Sequence, residues 1–137
     1  MYTGPLEDRV AIRELHELYA DGVVRFDAAT WGSVWAENAT WDFMGTVLEG
    51  REAIVELWLG AMSAFDAVSF QCMPCTIEVD GDTAVSRVQT QEILKGKDGS
   101  TRHIGGLYTD RLAKIDGRWL YTHRAFDIVA EFRPEEG

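Results

Sequence analysis

Basic residues are scarce in this chain, and their scarcity excludes two classes of partner. The 137 residues include 13 Lys and Arg against 23 Asp and Glu, which gives a formal net charge of −10. The basic residues are scattered along the sequence and form no cluster. Binding to nucleic acid or to an anionic membrane surface requires a basic patch. We therefore expect neither nucleic acid nor a membrane among the partners.

Cysteine is equally scarce, and the two present do not form a recognisable metal or redox site. Cys72 and Cys75 make one Cys-x-x-Cys pair, whereas a zinc site needs two further ligands at suitable spacing. A redox pair would lie at a helix N-terminus, which lowers the thiol pKa. This pair lies among strand-like residues, and Pro74 indicates a bulge or kink there. We predict two core thiols and no bound metal.

Long apolar runs are missing as well. No segment is apolar enough to span a membrane, and the N-terminal residues lack the basic start and apolar core of a signal peptide. We therefore expect a cytoplasmic location. Apolar content itself is ample, because 46% of the residues are hydrophobic and five are Trp. Such a composition can build one core in a single domain spanning residues 1–137.

The apolar residues repeat with a helical period first and alternate later. Helical spacing predicts a helix over 6–26 after Pro5, a short helix over 30–35 capped by Thr30, and a third over 51–62. Alternation predicts strands over 39–43, 68–71, 76–79, 83–93, 102–114 and 119–129. This order indicates an α+β fold. We expect the N-terminal helices to pack on a strongly curved, mostly antiparallel sheet, forming a cone-shaped barrel with an open mouth.

A series of motifs then covers nearly the whole chain. They are LHELYADGVVRFD, WAENATWDF, LEGREAIVELW, IEVDGDTA, GGLYTD and IDGRW, in this order. Together they resemble the SnoaL-like branch of the nuclear-transport-factor-2-like superfamily. The resemblance implies a deep pocket inside the cone, a cofactor-independent enzyme and a homo-oligomer, either a trimer or a dimer.

The resemblance also implies which residues carry the chemistry. Parallels within the branch are scytalone dehydratase, bile-acid dehydratase and hexachlorocyclohexane dehydrochlorinase, which remove a β-proton with a His–Asp pair. Asp27 matches the aspartate, and Arg124 matches an arginine beside the departing anion. The position of the family histidine is occupied by Phe70 in this chain. An imidazole titrates near neutrality and is oriented by the paired carboxylate, whereas phenylalanine has no group that can do either.

Another base must therefore serve if the protein is an enzyme. Asp27 is the candidate, because a carboxylate in an apolar pocket has a raised pKa, which suits a base. The alternative is an acid that ends the first helix and caps the next. Arg124 likewise either stabilises an anion or is a buried partner of Asp27 or Glu92.

The expected ligand is a small, apolar or aromatic molecule, and the residues expected to bind it are mostly aromatic. They are Tyr19, Phe26, Trp41, Phe70, Gln89 and Tyr108. Gln89 would orient the ligand if it faces inward and would be solvated if it faces outward. His16 is expected on the surface of the first helix; the alternative is a place at the cavity mouth, since it shares a helix face with Tyr19. His103 is expected on the opposite sheet face from Tyr108, outside the pocket.

Three functions from different classes remain open. The first is a lyase, isomerase or cyclase acting on a small cyclic or polyketide-like substrate, with Asp27 as base and Arg124 and the tyrosines as helpers. The second is a non-catalytic binding protein, since the family histidine is replaced by Phe70. The third is an assembly role through the outer face of the sheet. The acidic tail, residues 131–136, is expected to fray.

Overall fold

Seven strands form one mixed sheet in the computed structural model, which describes residues 1–134. The elements are β1 (Tyr2–Thr3), α1 (Leu6–Val24), α2 (Ala28–Ser33), β2 (Trp35–Phe43), β3 (Thr46–Glu49), α3 (Arg51–Met62), β4 (Phe65–Asp80), β5 (Thr83–Gly96), β6 (Thr101–Ile115) and β7 (Arg118–Phe132). The order across the sheet is β1-β4-β5-β6-β7-β2-β3. The β1–β4 and β2–β7 pairs are parallel and the other neighbours antiparallel. The helices pack against this strongly curved sheet, which confirms the predicted cone-shaped α+β fold.

The first helix is shorter than predicted, and its core-facing side includes a histidine. It ends at Val24, because Phe26 adopts a left-handed conformation with φ of 54° that no helix can contain. The buried residues of α1 include Ile12, His16, Tyr19 and Val23, spaced by three and four positions along one face. The polypeptide therefore turns sharply just before Asp27.

The cap of the second helix differs from the prediction. Asp27, rather than Thr30, is the N-cap residue, and its carboxylate accepts a hydrogen bond from the Thr30 backbone N–H at 3.1 Å. Thr30 is therefore the third residue of α2, and Trp35 already belongs to β2. The third helix has the predicted bounds, 51–62, with Gly50 as its N-cap at a φ of 92°.

The two predicted strands 68–71 and 76–79 are parts of one strand, β4. Proline cannot donate to the ladder, and the register shifts between Pro74 and Thr76 in a bulge that lets the strand continue. Cys72 packs against the core, and its thiol lies 3.5 Å from the His16 carbonyl oxygen. Cys75 is half-buried outside that core, so the core prediction is confirmed for Cys72 only.

The last two strands bend at a pair of glycines. The register between β6 and β7 shifts between Gly105 and Gly106, and such a bulge bends the strand. A Cβ at Gly106 would lie 2.7 Å from the Thr90 hydroxyl oxygen and would also overlap the Phe126 ring. An alanine at this position would therefore force the Thr90 and Phe126 side chains to shift.

The end of β7 is ordered by ion pairs. Glu131 accepts from Arg102 at 2.7 Å and from Arg133 at 2.8 Å, so the expectation of a frayed tail was wrong for residues 131 and 132. Residues 135 and 136 of that predicted tail lie outside the described residues. None of the described helices is long and apolar enough to cross a membrane.

Candidate active site

A cavity of about 250 Å³ lies between the helices and the concave face of the sheet. Eight of the 17 residues that line it are aromatic, namely Tyr19, Trp41, Phe43, Trp58, Phe65, Phe70, Tyr108 and Phe126. Glu92 and Arg102 supply the charged groups of the wall. The volume is just below the range of about 300–1,000 Å³ that is usual for ligand pockets. An apolar cavity with a few convergent polar groups is the usual form of a small-molecule site.

Glu92 enters the cavity because of strand alternation. On β5 the side chains of Val88, Thr90 and Leu94 face the core, and Glu92 lies in the same series. No described residue forms a hydrogen bond or an ion pair with its carboxyl group. Burial raises the pKa of Glu92 to about 7, and the positive charge of Arg102 only partly opposes this shift. Acid and carboxylate are therefore present in similar amounts at neutral pH.

Two tyrosines of the cavity wall, Tyr19 and Tyr108, are joined through their hydroxyl groups. The Tyr19 and Tyr108 oxygens are 2.9 Å apart, so one hydroxyl donates to the other and one O–H remains available. Burial raises the pKa of Tyr19 to about 12 and that of Tyr108 well above its ordinary value. Both hydroxyls are therefore protonated at neutral pH and act as hydrogen-bond donors. The Glu92 charge makes a smaller contribution to raising both pKa values.

Arg124 lies behind the tyrosines and does not line the cavity. Its partner is Asp110, which accepts from Nε at 2.6 Å and from Nη2 at 3.1 Å, so neither Asp27 nor Glu92 fills that role. The guanidinium carbon lies 3.7 Å from the centre of the Tyr108 ring and 4.5 Å from that of Tyr19. Burial lowers the pKa of Arg124, but Asp110 and the tyrosines raise it more, so the group stays charged.

The same buried network includes His16, so the expectation of a surface histidine was wrong. The residue is 1% exposed, its Nδ1 bonds to the Tyr121 hydroxyl, and its Nε2 lies 3.3 Å from the Ser86 hydroxyl. Ser86 donates in turn to Asp110 at 3.1 Å. Burial and the Arg124 charge hold the pKa of His16 well below its usual value, so the ring is neutral.

Asp27 lies outside the cavity. Its carboxylate accepts from the Thr30 N–H and, at 2.8 Å, from the Thr30 hydroxyl, while Arg25 is 3.8 Å away. The hydrogen bonds from Thr30 lower the pKa of Asp27, the opposite of the shift that a desolvated base requires. The geometry corresponds to the helix-capping alternative.

The other predicted binding residues divide between the cavity and the surface. Tyr19, Trp41, Phe70 and Tyr108 meet in its wall, while Phe26 is 39% exposed beside it and Gln89 is exposed on the outer face of β5. His103 also lies on the outer face, where its Nε2 is 3.0 Å from the Gln91 side-chain oxygen, which confirms the outward prediction.

Sequence reasoning missed Glu92 as a cavity group, although the signal was present. Register pairs Val88 with Tyr108, and Glu92 is four positions from Val88 on the same strand face. Alternation along β5 alone, counted from the apolar Val88 and Leu94, already places Glu92 on the inner face. Among residues 1–134, no three His, Cys, Asp or Glu side chains are close enough together to hold a metal ion.

Comparison with known proteins identifies the family. The model of the SnoaL-like domain matches residues 4–125, so the chain belongs to the SnoaL-like family. No curated protein sequence matches the chain.

Solved structures share the fold. A type 2 hexachlorocyclohexane dehydrochlorinase (LinA) superimposes with a TM-score of 0.88 at 18% identity, covering 95% of this chain and 90% of that one. A Novosphingobium aromaticivorans protein provisionally named an aromatic ring hydroxylase gives 0.89 at 25% identity, covering 96% of each chain. A second protein of that organism, provisionally named a scytalone dehydratase, gives 0.86 at 19% identity, covering 96% of this chain and 91% of that one.

Proposed function

We propose that the protein is a cofactor-independent enzyme of the lyase or isomerase type, acting on a small, largely apolar cyclic molecule that bears a carbonyl group. The observation that carries this proposal is the unpaired Glu92 carboxyl group in an aromatic cavity that also presents the Tyr19–Tyr108 hydroxyl pair. The names of two structural neighbours, a dehydrochlorinase and a dehydratase, agree with a lyase-type reaction.

Glu92 is the proposed general base. A base works best when its pKa lies near the operating pH, and burial places the pKa of Glu92 at about 7. Its ionised form takes a proton from the carbon next to the ligand carbonyl, and the C–H electron pair moves into the enolate. No strong partner holds the carboxylate, so it is available for this transfer.

The tyrosine pair is the proposed site for the developing oxyanion. The free O–H of Tyr19 or Tyr108 donates to the carbonyl oxygen and strengthens that bond as negative charge develops. The Arg124 charge behind both rings favours the same charge without touching the ligand. Strand spacing of about 3.3 Å per residue separates Glu92 from the level of Tyr108 by about 13 Å at Cα. Both side chains line the cavity within this interval, so the carbonyl group and its adjacent carbon would lie between them.

Two outcomes follow from the enolate, and both return Glu92 to its starting state. In an isomerase, protonated Glu92 returns the proton at a different carbon. In a dehydratase, the enolate expels a β-hydroxyl group that takes the proton from Glu92 and leaves as water. Either route is complete without an oxidant, reductant or metal.

Glu92 thus takes the role that the family resemblance implies for Asp27. In the described geometry Asp27 is bound by Thr30 and lies outside the cavity, so we propose that it stabilises the start of α2. Phe70, at the family histidine position, lines the cavity and supplies apolar surface.

The test uses 2-tetralone, a bicyclic ketone, in deuterated buffer. Enzyme-dependent exchange of its α-protons is followed by NMR for wild type, Glu92→Gln and the matched control Asp27→Asn. We expect Glu92→Gln to lower the exchange rate above buffer by at least about 100-fold, in line with the loss of a general base. Asp27→Asn should retain it.

The opposite pattern, with exchange lost in Asp27→Asn and kept in Glu92→Gln, would contradict the assignment of Glu92 and restore Asp27 as the base. Calorimetric binding of the ketone to all three proteins without exchange in any of them would favour the alternative of a non-catalytic binding protein.

A further inference from the structure

Arg102 is the positively charged group of the cavity wall. It occupies the second position of β6 and shares the inner face of that strand with Ile104 and Tyr108. Its side chain is 32% exposed, whereas Tyr108 is 4% exposed. The tyrosines therefore lie at the closed end of the cavity and Arg102 at the end that meets solvent.

Arg102 is only partly neutralised by its neighbours. Its Nε donates to one oxygen of Glu131 at 2.7 Å, and Arg133 donates to the same oxygen at 2.8 Å. Two guanidinium groups thus share one carboxylate, which leaves one net positive charge. Within residues 1–134, the terminal nitrogens of Arg102 make no hydrogen bond, since the bond to Glu131 uses Nε. A guanidinium edge with two adjacent donors matches a carboxylate in geometry and charge.

The neighbouring acid does not occupy this edge. Glu92 and Arg102 lie on neighbouring strands, and the register pairs Leu94 with Arg102 and Glu92 with Ile104. No nitrogen of Arg102 lies within 4.0 Å of a carboxyl oxygen of Glu92. The pKa of Glu92, at about 7, leaves much of that carboxyl uncharged at neutral pH, which limits its repulsion of an incoming anion.

We propose that Arg102 determines specificity by binding an anionic oxygen group, most simply a carboxylate, carried on the apolar ring of the ligand. The ring lies along the aromatic wall, the anion at the open end, and the reacting carbonyl at the closed end. This inference rests on the proposed function and narrows its substrate class to cyclic carbonyl compounds that carry an acidic group.

The test compares two probes of nearly the same shape, the anionic 2-naphthoate and the neutral 2-naphthamide. Isothermal titration calorimetry gives their dissociation constants for wild type, Arg102→Gln and Arg87→Gln. Arg87→Gln is the matched control, because Arg87 is exposed on the outer face of β5 and its loss changes the net charge equally. We expect wild type and the control to bind the carboxylate at least about tenfold more tightly than the amide, and Arg102→Gln to lose this preference.

A further variant keeps the test decisive if Arg102→Gln folds poorly. Glu131→Gln leaves Arg102 in place and removes its competitor, so the carboxylate preference should persist or increase. Equal affinities of the two probes for wild type, or a preference that survives Arg102→Gln, would overturn the inference. In that case the proposed function would still be supported if 2-naphthamide binds the cavity and the exchange of 2-tetralone depends on Glu92. Failure of both probes to bind would contradict the inference, and intact carboxylate binding without exchange would contradict the base assignment alone.

Discussion

Among single residues, Glu92 has the protonation behaviour that the proposed reaction depends on. Its pKa of about 7 arises chiefly from burial, and the base is active only when ionised. We therefore expect the enzyme-dependent exchange rate of 2-tetralone to rise with pH through about 7 and to level off above it. A pH–rate profile, corrected for exchange in buffer, measures the midpoint. A rate already constant between about pH 5 and 8 would contradict a raised pKa.

The same raised pKa has a consequence for stability. The folded protein retains the Glu92 proton up to about pH 7, whereas the unfolded chain releases it near the ordinary glutamate value of about 4.3. The contribution of Glu92 to stability is therefore fully present below that lower value and is lost as pH rises through the higher one.

Replacement of this group by a neutral amide should accordingly stabilise the protein at high pH. We expect Glu92→Gln to raise the free energy of unfolding by roughly 1–3 kcal/mol near pH 8, with a much smaller gain near pH 5. Urea denaturation at both pH values gives the two differences. A gain that is independent of pH would indicate a packing effect in place of a charge effect.

Asp27 should behave as a helix cap. Asp27→Ala removes the acceptor for the Thr30 N–H and should lower the free energy of unfolding, while Asp27→Asn, which introduces another good capping residue, should lower it much less. Denaturant unfolding of both variants measures this, with exchange of 2-tetralone as the second readout. Loss of exchange at unchanged stability would contradict a purely structural role.

Among the elements, those bounded by local signals were predicted best. The third helix follows Gly50, which adopts a positive φ, and the last hairpin turns at Asp116 and Gly117, both of which also have positive φ. Such residues fix the ends of elements by their own conformational preferences. Asp27 and Thr30 are both good capping residues and lie three positions apart, so residue type alone did not show which of them is the N-cap of α2.

Elements that depend on remote partners were missed. The two-residue β1 exists because Tyr2 and Thr3 pair in parallel with Ile77 and Glu78, far along the chain. The short β3 depends in the same way on its pairing with β2. Neither segment carries a local pattern of its own, so its strand conformation follows from tertiary contact.

The bend of β6 gives a prediction at this scale. Gly106→Ala should destabilise the protein by about 1–3 kcal/mol, because the added methyl group meets the Thr90 hydroxyl and the Phe126 ring. Gly60→Ala is the matched control: this exposed glycine lies in α3 with open space around it, and alanine should stabilise the helix by up to about 1 kcal/mol. Thermal unfolding measures both. Equal effects would contradict the packing constraint at Gly106.

At the scale of the whole molecule, the sequence predicts the aromatic wall of the cavity but not the positions of its charged neighbours. Tyr19, Trp41, Phe70 and Tyr108 were predicted and do line it, since apolar periodicity directs such residues inward. The position of Asp27 depends on where α1 ends, and that depends on the left-handed conformation of Phe26, which no pattern indicates. The buried network of Arg124 with Asp110 joins two long strands whose register the sequence alone does not fix.

The central claim is that the cavity holds a carboxyl group able to take and return a proton near neutral pH. Its most direct test is the NMR titration of the Glu92 side-chain carboxyl carbon in protein labelled with ¹³C-glutamate, assigned by comparison with Glu92→Gln. We predict a midpoint at about 7. A midpoint near the ordinary glutamate value of about 4.3 would contradict the account, because such a carboxylate is neither desolvated nor a base suited to this reaction.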